Sequence, residues 1–325
     1  MRCLRVSVAA MIVAFVSLPA LAQNRPLSPE MQADTEALRA LTTTIPLLPV
    51  DRIAVQVKPA MTLVRYSAVA GDKDGNLYVL HRPEEKTVDP VVVVDSQGTM
   101  IHSWGKGMYA IPHGIRIDPG GNVWTVDAHT SMVYKFTPEG KTLLEISVGE
   151  VPEACRGFCG ATDVAFAPNG HVFVSDGYRN GRVIEYTADG QKVREWGKRG
   201  KGQGEFMNAH AIAISPDGTL YVADRENGRL QWFDLEGKFL GEKHFGGQLY
   251  SVAISATGAL YVGTQPRDVP FGKDAYILQC DPASGTILGK IEAATHHLSI
   301  APDGSLLPGT LVDKTDAVLL LRPKK

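Results

Sequence analysis

The 325-residue chain carries 33 Lys and Arg against 35 Asp and Glu, a formal charge of −2, with 44% hydrophobic residues, 33 glycines and 20 prolines. There is no basic excess to neutralise a nucleic acid, and the densest basic run, "GKRGKGQGEF" at 197–206, is broken by glycines and reads as a solvated loop. A chain of this length and apolar content forms two ordinary domains or a single all-β unit.

The N-terminus, "MRCLRVSVAAMIVAFVSLPALAQ", joins Arg2 and Arg5 to an apolar run from Val6 to Leu18 and the small-residue pattern Ala20-Leu21-Ala22. This is the pattern of a secretory signal peptide over residues 1–22, too short for a membrane span. Its removal leaves 31 basic and 35 acidic side chains. We expect a soluble exported protein, in the periplasm, monomeric and with no membrane attachment once the signal is removed. Export permits disulfides: Cys155 and Cys159 are close enough to pair, which leaves Cys280 free. Residues 23–50 read as a short helix and linker, with Ser28 capping "SPEMQADTEALRAL" and Pro29 at its first position.

Residues 51–325 read as a repeat. Glycine-centred turns recur in "DKDGNLYVL", "DPGGNVWTV", "APNGHVFVS", "SPDGTLYVA", "SATGALYVG" and "APDGSLLPG", at Gly75, Gly121, Gly170, Gly218, Gly258 and Gly304. Alternating apolar runs flank each turn, the signature of a β-hairpin, and further turns and strands follow in several units. Four short strands per unit at a period in the forties predict an all-β fold, a six-bladed β-propeller. "DRIAVQV" at 51–57 is placed to close the ring against the last blade and remove its open edges.

Eight positions before the six glycines stand Ser67, His113, Thr162, His210, Tyr250 and His296. Histidine therefore occupies blades two, four and six. The first strand of a propeller blade is innermost, so three alternate blades direct imidazoles at the axis roughly 120° apart. Three converging imidazoles with one position left open suit a zinc ion. His81, His102, His129, His171, His244 and His297 fall outside this phase and carry no such reading; against His297 the repeat phase selects its neighbour His296. A hairpin returns its second end to the same face, so positions seven or eight after the glycines add Arg82, Arg225 and Tyr178 to the site. Paired guanidiniums suit a carboxylate, and a tyrosine beside Zn²⁺ and Arg⁺ is expected to ionise more readily and act as a base.

With these residues in place, "PHGIRIDPGGNVWTVD", "FCGATDVAF", "VSDGYRNGRV", "VADRENGRLQWF" and "LYVLHR" resemble the peptidyl-α-hydroxyglycine α-amidating lyases, propellers of NHL-type repeats. The likeness runs from about Val64 to the C-terminus, strongest in blades two to four and thin over blade five. It implies zinc held by His113, His210 and His296, a catalytic Tyr178, and active-site arginines Arg82 and Arg225. It also implies cleavage of the N–Cα bond of a C-terminal α-hydroxyglycine to an amide and glyoxylate. On that basis the substrate is a peptide or small molecule with a C-terminal carboxylate, which either arginine could grip.

Two departures stand out. The family's structural calcium takes carbonyls matching Val69 and Ile115, but its aspartate position is His297 here, and a neutral imidazole is a poor ligand for that cation. A family disulfide joins the cysteine matching Cys159 to a position that is Arg179 here, so Cys155 is the alternative partner. The competing reading is a non-enzymatic NHL propeller binding a peptide or glycan on the same face. A lactonase-type hydrolase would need acidic and amide calcium ligands where this channel has histidine.

Overall fold

The computed structural model describes residues 26–324. The signal peptide expected over residues 1–22 lies outside the described residues. The helix comprises Pro29–Thr44, and the Ser28 hydroxyl accepts a hydrogen bond from the Met31 amide at 3.2 Å, as the capping pattern predicts. Its buried face carries Thr35, Leu38 and Thr42, and Leu38 seats against the backbone of Gly247.

The rest of the described chain forms six four-stranded antiparallel sheets, the six blades of a propeller. Their inner strands, in ring order, are Ala68–Gly71, Pro112–Ile117, Asp163–Phe166, Ala209–Ile214, Gln248–Ile254 and Leu298–Ile300. The six repeat glycines all hold φ between 84° and 88°, a left-handed conformation that costs glycine nothing and side-chain-bearing residues much more. That requirement is why the turns could be counted in the sequence.

Each blade is covered on both faces by its neighbours, so its inner and middle strands are apolar without strict alternation. Leu77–Leu80 and Val91–Val94 are buried at every position, whereas the outer strand Lys192–Trp196 is largely exposed. The core accordingly lies in six slabs between blades. Tyr78, Val91 and Val93 of blade one, for example, pack with Ile115, Val123 and Phe136 of blade two. Strand Val50–Gln56 pairs antiparallel with Ala317–Pro323, in register from Val50 opposite Pro323 to Gln56 opposite Ala317. The ring is thus closed by a strand from the beginning of the fold, which covers the edge of Ala317–Pro323 as the outer strand of the last blade.

A channel with both polar and apolar lining runs along the axis. A cavity of about 1240 Å³ lies at the end where the repeat turns lie and is lined by Arg116, Asp118, Ser299 and the turn residues. The chemistry-bearing histidines are at the other end.

Candidate metal centre on the propeller axis

The slot residues form an alternating ring. The imidazole centroids of His113, His210 and His296 stand 5.0, 4.6 and 4.9 Å apart, close to an equilateral triangle, and all three side chains are buried. The three intervening slots contribute backbone carbonyls. His113 Nδ1 lies 2.7 Å from the Thr162 oxygen, His210 Nδ1 2.7 Å from that of Tyr250, and His296 Nδ1 3.2 Å from that of Ser67. A carbonyl can only accept, so each Nδ1 carries the proton and each Nε2 keeps its lone pair. Burial above all, then neighbouring imidazoles and (for His210) Arg225, hold these groups well below the ordinary histidine pKa. They are therefore neutral, as metal ligands must be.

These donors fit a metal ion. Ligand atoms of His113, His210, His296 and His297 all lie within 4.8 Å of one another. Three neutral nitrogens without a carboxylate suit zinc or a similar borderline ion better than an oxygen-seeking one. The other metal-like group among the described residues, His129 with Cys155 and Cys159, offers no thiolates, because the two cysteines form a disulfide. That disulfide closes the loop carrying Phe158, whose ring is tilted over Tyr178 at 4.7 Å.

The Tyr178 hydroxyl stands 2.7 Å from His113 Nε2 and 3.2 Å from His210 Nε2. The preceding Gly177 lets blade three approach the Ala209 carbonyl of blade four, where a Cβ would collide. Arg225 lies between two aromatic faces, its Cζ 5.4 Å from the Tyr178 ring centre and 5.2 Å from that of Tyr250. The Glu226 carboxylate binds Arg225 Nε at 2.8 Å and Nη2 at 2.7 Å. Burial opposes the charge on Arg225, but Glu226 together with Tyr178 and Tyr250 more than offsets it and raises the pKa well above normal. Arg82 differs. Its Nε donates to the Pro112 carbonyl at 2.8 Å, its Nη2 is buried with no hydrogen-bond partner, and burial pulls its pKa down to about 10.

The expected readier ionisation of Tyr178 does not arise from the protein alone. Burial raises its pKa, and the opposing effects of Arg225 and Arg82 do not overcome it.

NHL repeats are recognised at residues 158–186 and 206–233. The chain is 32% identical over 239 residues to peptidyl-alpha-hydroxyglycine alpha-amidating lyase 1 of Drosophila melanogaster, covering 62% of this chain and 44% of that protein. It is 34% identical to the peptidyl-glycine alpha-amidating monooxygenase of Mus musculus, over 61% of this chain and 24% of that one. With the Caenorhabditis elegans protein named "Probable peptidyl-alpha-hydroxyglycine alpha-amidating lyase", identity is 30% over 78% of this chain and 81% of the relative. The chain belongs to the amidating lyase family.

This family member spans less than half the length of the fly and mouse relatives. Its matched NHL repeats contain Tyr178, His210 and Arg225. A solved streptogramin B lyase shares the fold with a TM-score of 0.58 at 14% identity, over 85% of this chain and 98% of that one. Virginiamycin B lyase from Staphylococcus aureus does so at 0.57 and 13%, over 85% and 89%.

The structure adds site residues that the repeat phase did not select. His297 stands 4.7 Å from His113 between ring centres and joins the cluster one position out of phase. Glu226, adjacent to Arg225 in "DREN", is the partner that neutralises it. Arg267 reaches the Glu226 carbonyl at 2.7 Å from the blade-five loop, and its Nε is buried without a partner. A doubled histidine and an Arg-Glu pair were visible signals; nothing in the sequence marked Arg267.

Proposed function

We propose that this chain is a zinc-dependent lyase that cleaves the N–Cα bond of a C-terminal α-hydroxyglycine, or a related N-(hydroxyalkyl) amide, to an amide and glyoxylate. The observation that carries this reading is the Tyr178 hydroxyl within hydrogen-bond reach of two Nε2 atoms in a triangle of neutral imidazoles. His113, His210 and His296 would hold the ion through Nε2. Zinc there supplies a Lewis acid that makes a substrate hydroxyl and a nearby phenol more acidic.

The protein's own residues do the rest. The unpartnered Nη2 of Arg82 is free to take the substrate carboxylate, whereas Arg225 is already engaged by Glu226 and lies against the Tyr178 ring. Arg82 is therefore the carboxylate-binding arginine, and Arg225 favours the phenolate. Tyr178 as phenolate takes the hydroxyl proton. The electron pair left on that oxygen forms the aldehyde C=O of glyoxylate as the N–Cα pair passes to nitrogen. The phenol then returns its proton to that nitrogen, so the amide leaves neutral and the tyrosine is ready for another turnover. Phe158 and Tyr250 flank this centre. Secretion, which we expect from the N-terminal pattern, would bring the chain to an exported peptide or small N-acyl compound in an oxidising compartment where a Cys155–Cys159 bond persists.

The test is glyoxylate release from α-hydroxyhippurate by the zinc-loaded protein, with His210→Ala and Tyr178→Phe as controls. Turnover lost in both variants supports the lyase. Stoichiometric zinc without turnover removes this substrate class. Protein that takes up no transition metal removes the catalytic reading and leaves a propeller that binds a peptide or glycan.

A further inference from the structure

The calcium implied by the family resemblance has no cradle in this chain. The Val69 carbonyl already accepts the Ser299 hydroxyl, and the carboxylate position is His297. The channel instead holds a guanidinium. Arg116, which follows Ile115, donates through Nε to Asp163 Oδ1 at 2.9 Å, through Nη2 to Oδ2 at 2.5 Å, and through Nη1 to the Leu298 carbonyl at 2.6 Å. Asp163 is fully buried and the Arg116 side chain is 13% exposed. The same carboxylate accepts the Val164 amide at 2.9 Å and the Ile212 amide at 3.3 Å, and lies 3.5 Å from His297 Nδ1.

We infer that the Arg116 guanidinium is the resident cation of the channel, holding blades two, three and six together from within the chain in place of a divalent ion. Three arguments carry this. Carbonyl and carboxylate oxygens facing the axis need a positive donor, and a planar fork with five N–H groups meets that need. Arg116 and Asp163 together are neutral, so a divalent ion added beside them would bring buried charge with no carboxylate to balance it. The third argument is position: the Asp163 carboxylate lies 3.5 Å from His297 Nδ1, whose ring reaches His113 Nδ1 through Nε2 at 3.0 Å, so the ion pair sits directly behind the metal centre. The stability of this propeller is therefore independent of calcium.

The experiment uses the mature, zinc-loaded chain and reads unfolding and metal content, so its outcome does not depend on the reaction proposed above. Wild-type protein dialysed against calcium and then gel-filtered should retain none. Its Tm should not move on adding calcium to about 5 mM, above the weak range of extracellular calcium modules. Arg116→Lys keeps the charge but loses the fork, and should lower Tm by about 5 °C or more. The pair Arg116→Ala with His297→Asp should start lower still and regain Tm as calcium is added. One equivalent of calcium in the wild type, a wild-type Tm that rises with calcium, or an Arg116→Lys protein as stable as the parent would each overturn the inference. If the double variant does not fold, the two wild-type measurements still decide.

Discussion

His296 Nδ1 faces the carbonyl oxygen of Ser67 at 3.2 Å, a contact between the last blade and the first. It repeats, across the seam of the ring, the relation between His113 and Thr162 and between His210 and Tyr250. Ring closure thus does more than remove an edge. It orients the third imidazole, because the acceptor that sets its tautomer lies on blade one.

Gly309 tests that dependence. A Cβ there would strike the Ser67 carbonyl, although Gly309 itself binds only backbone, its amide donating to His297 and its carbonyl accepting from His296. Gly309→Ala should weaken zinc binding roughly 10-fold to 100-fold, the usual range for disturbed outer-shell partners, as read by competition with a chromophoric chelator. Unaltered affinity would mean that His296 needs no carbonyl to orient it.

Tyr178→Phe separates a base from a ligand. The phenol is placed to move a proton, so glyoxylate release should fall by roughly 10²-fold to 10⁴-fold while zinc content stays at one per chain. Loss of zinc in this variant would recast Tyr178 as part of the metal site.

The two arginines should fail differently. Arg82→Met removes a free charged donor and should lower kcat/KM by about 10-fold to 100-fold, chiefly through KM. Glu226→Gln leaves the Arg225 guanidinium without its carboxylate, and should change kcat more than KM. Equal effects on both parameters in both variants would contradict the division of roles between carboxylate binding and phenolate support.

Cys280 offers a test of packing. It is a free cysteine, buried beside Leu260 and Leu278, and burial pushes its thiol up to about 12. Because the thiolate is the reactive form, a chain beginning at Gln23 should show no labelling by a thiol reagent at pH 8 when native, and one equivalent when unfolded without reductant. Two or more equivalents would show that Cys155 and Cys159 are not bonded to each other.

The sequence by itself determined the six-bladed ring, its closing strand, the capped helix and the meeting of His113, His210 and His296. Those features follow from local chemistry: a left-handed turn needs glycine, a strand alternates its faces, and a closed ring turns sequence phase into angular position. The tertiary structure decided what depends on groups far apart in the chain. It placed His297 in the cluster one residue out of phase, engaged Arg225 with Glu226 while leaving Arg82 Nη2 unpartnered, and set Arg116 in the channel on Asp163 and Leu298. It also buried Tyr178, and burial raises its pKa against the pull of two guanidiniums. Solvent exclusion and long-range pairing set those outcomes, and neither has a period that can be counted along the chain.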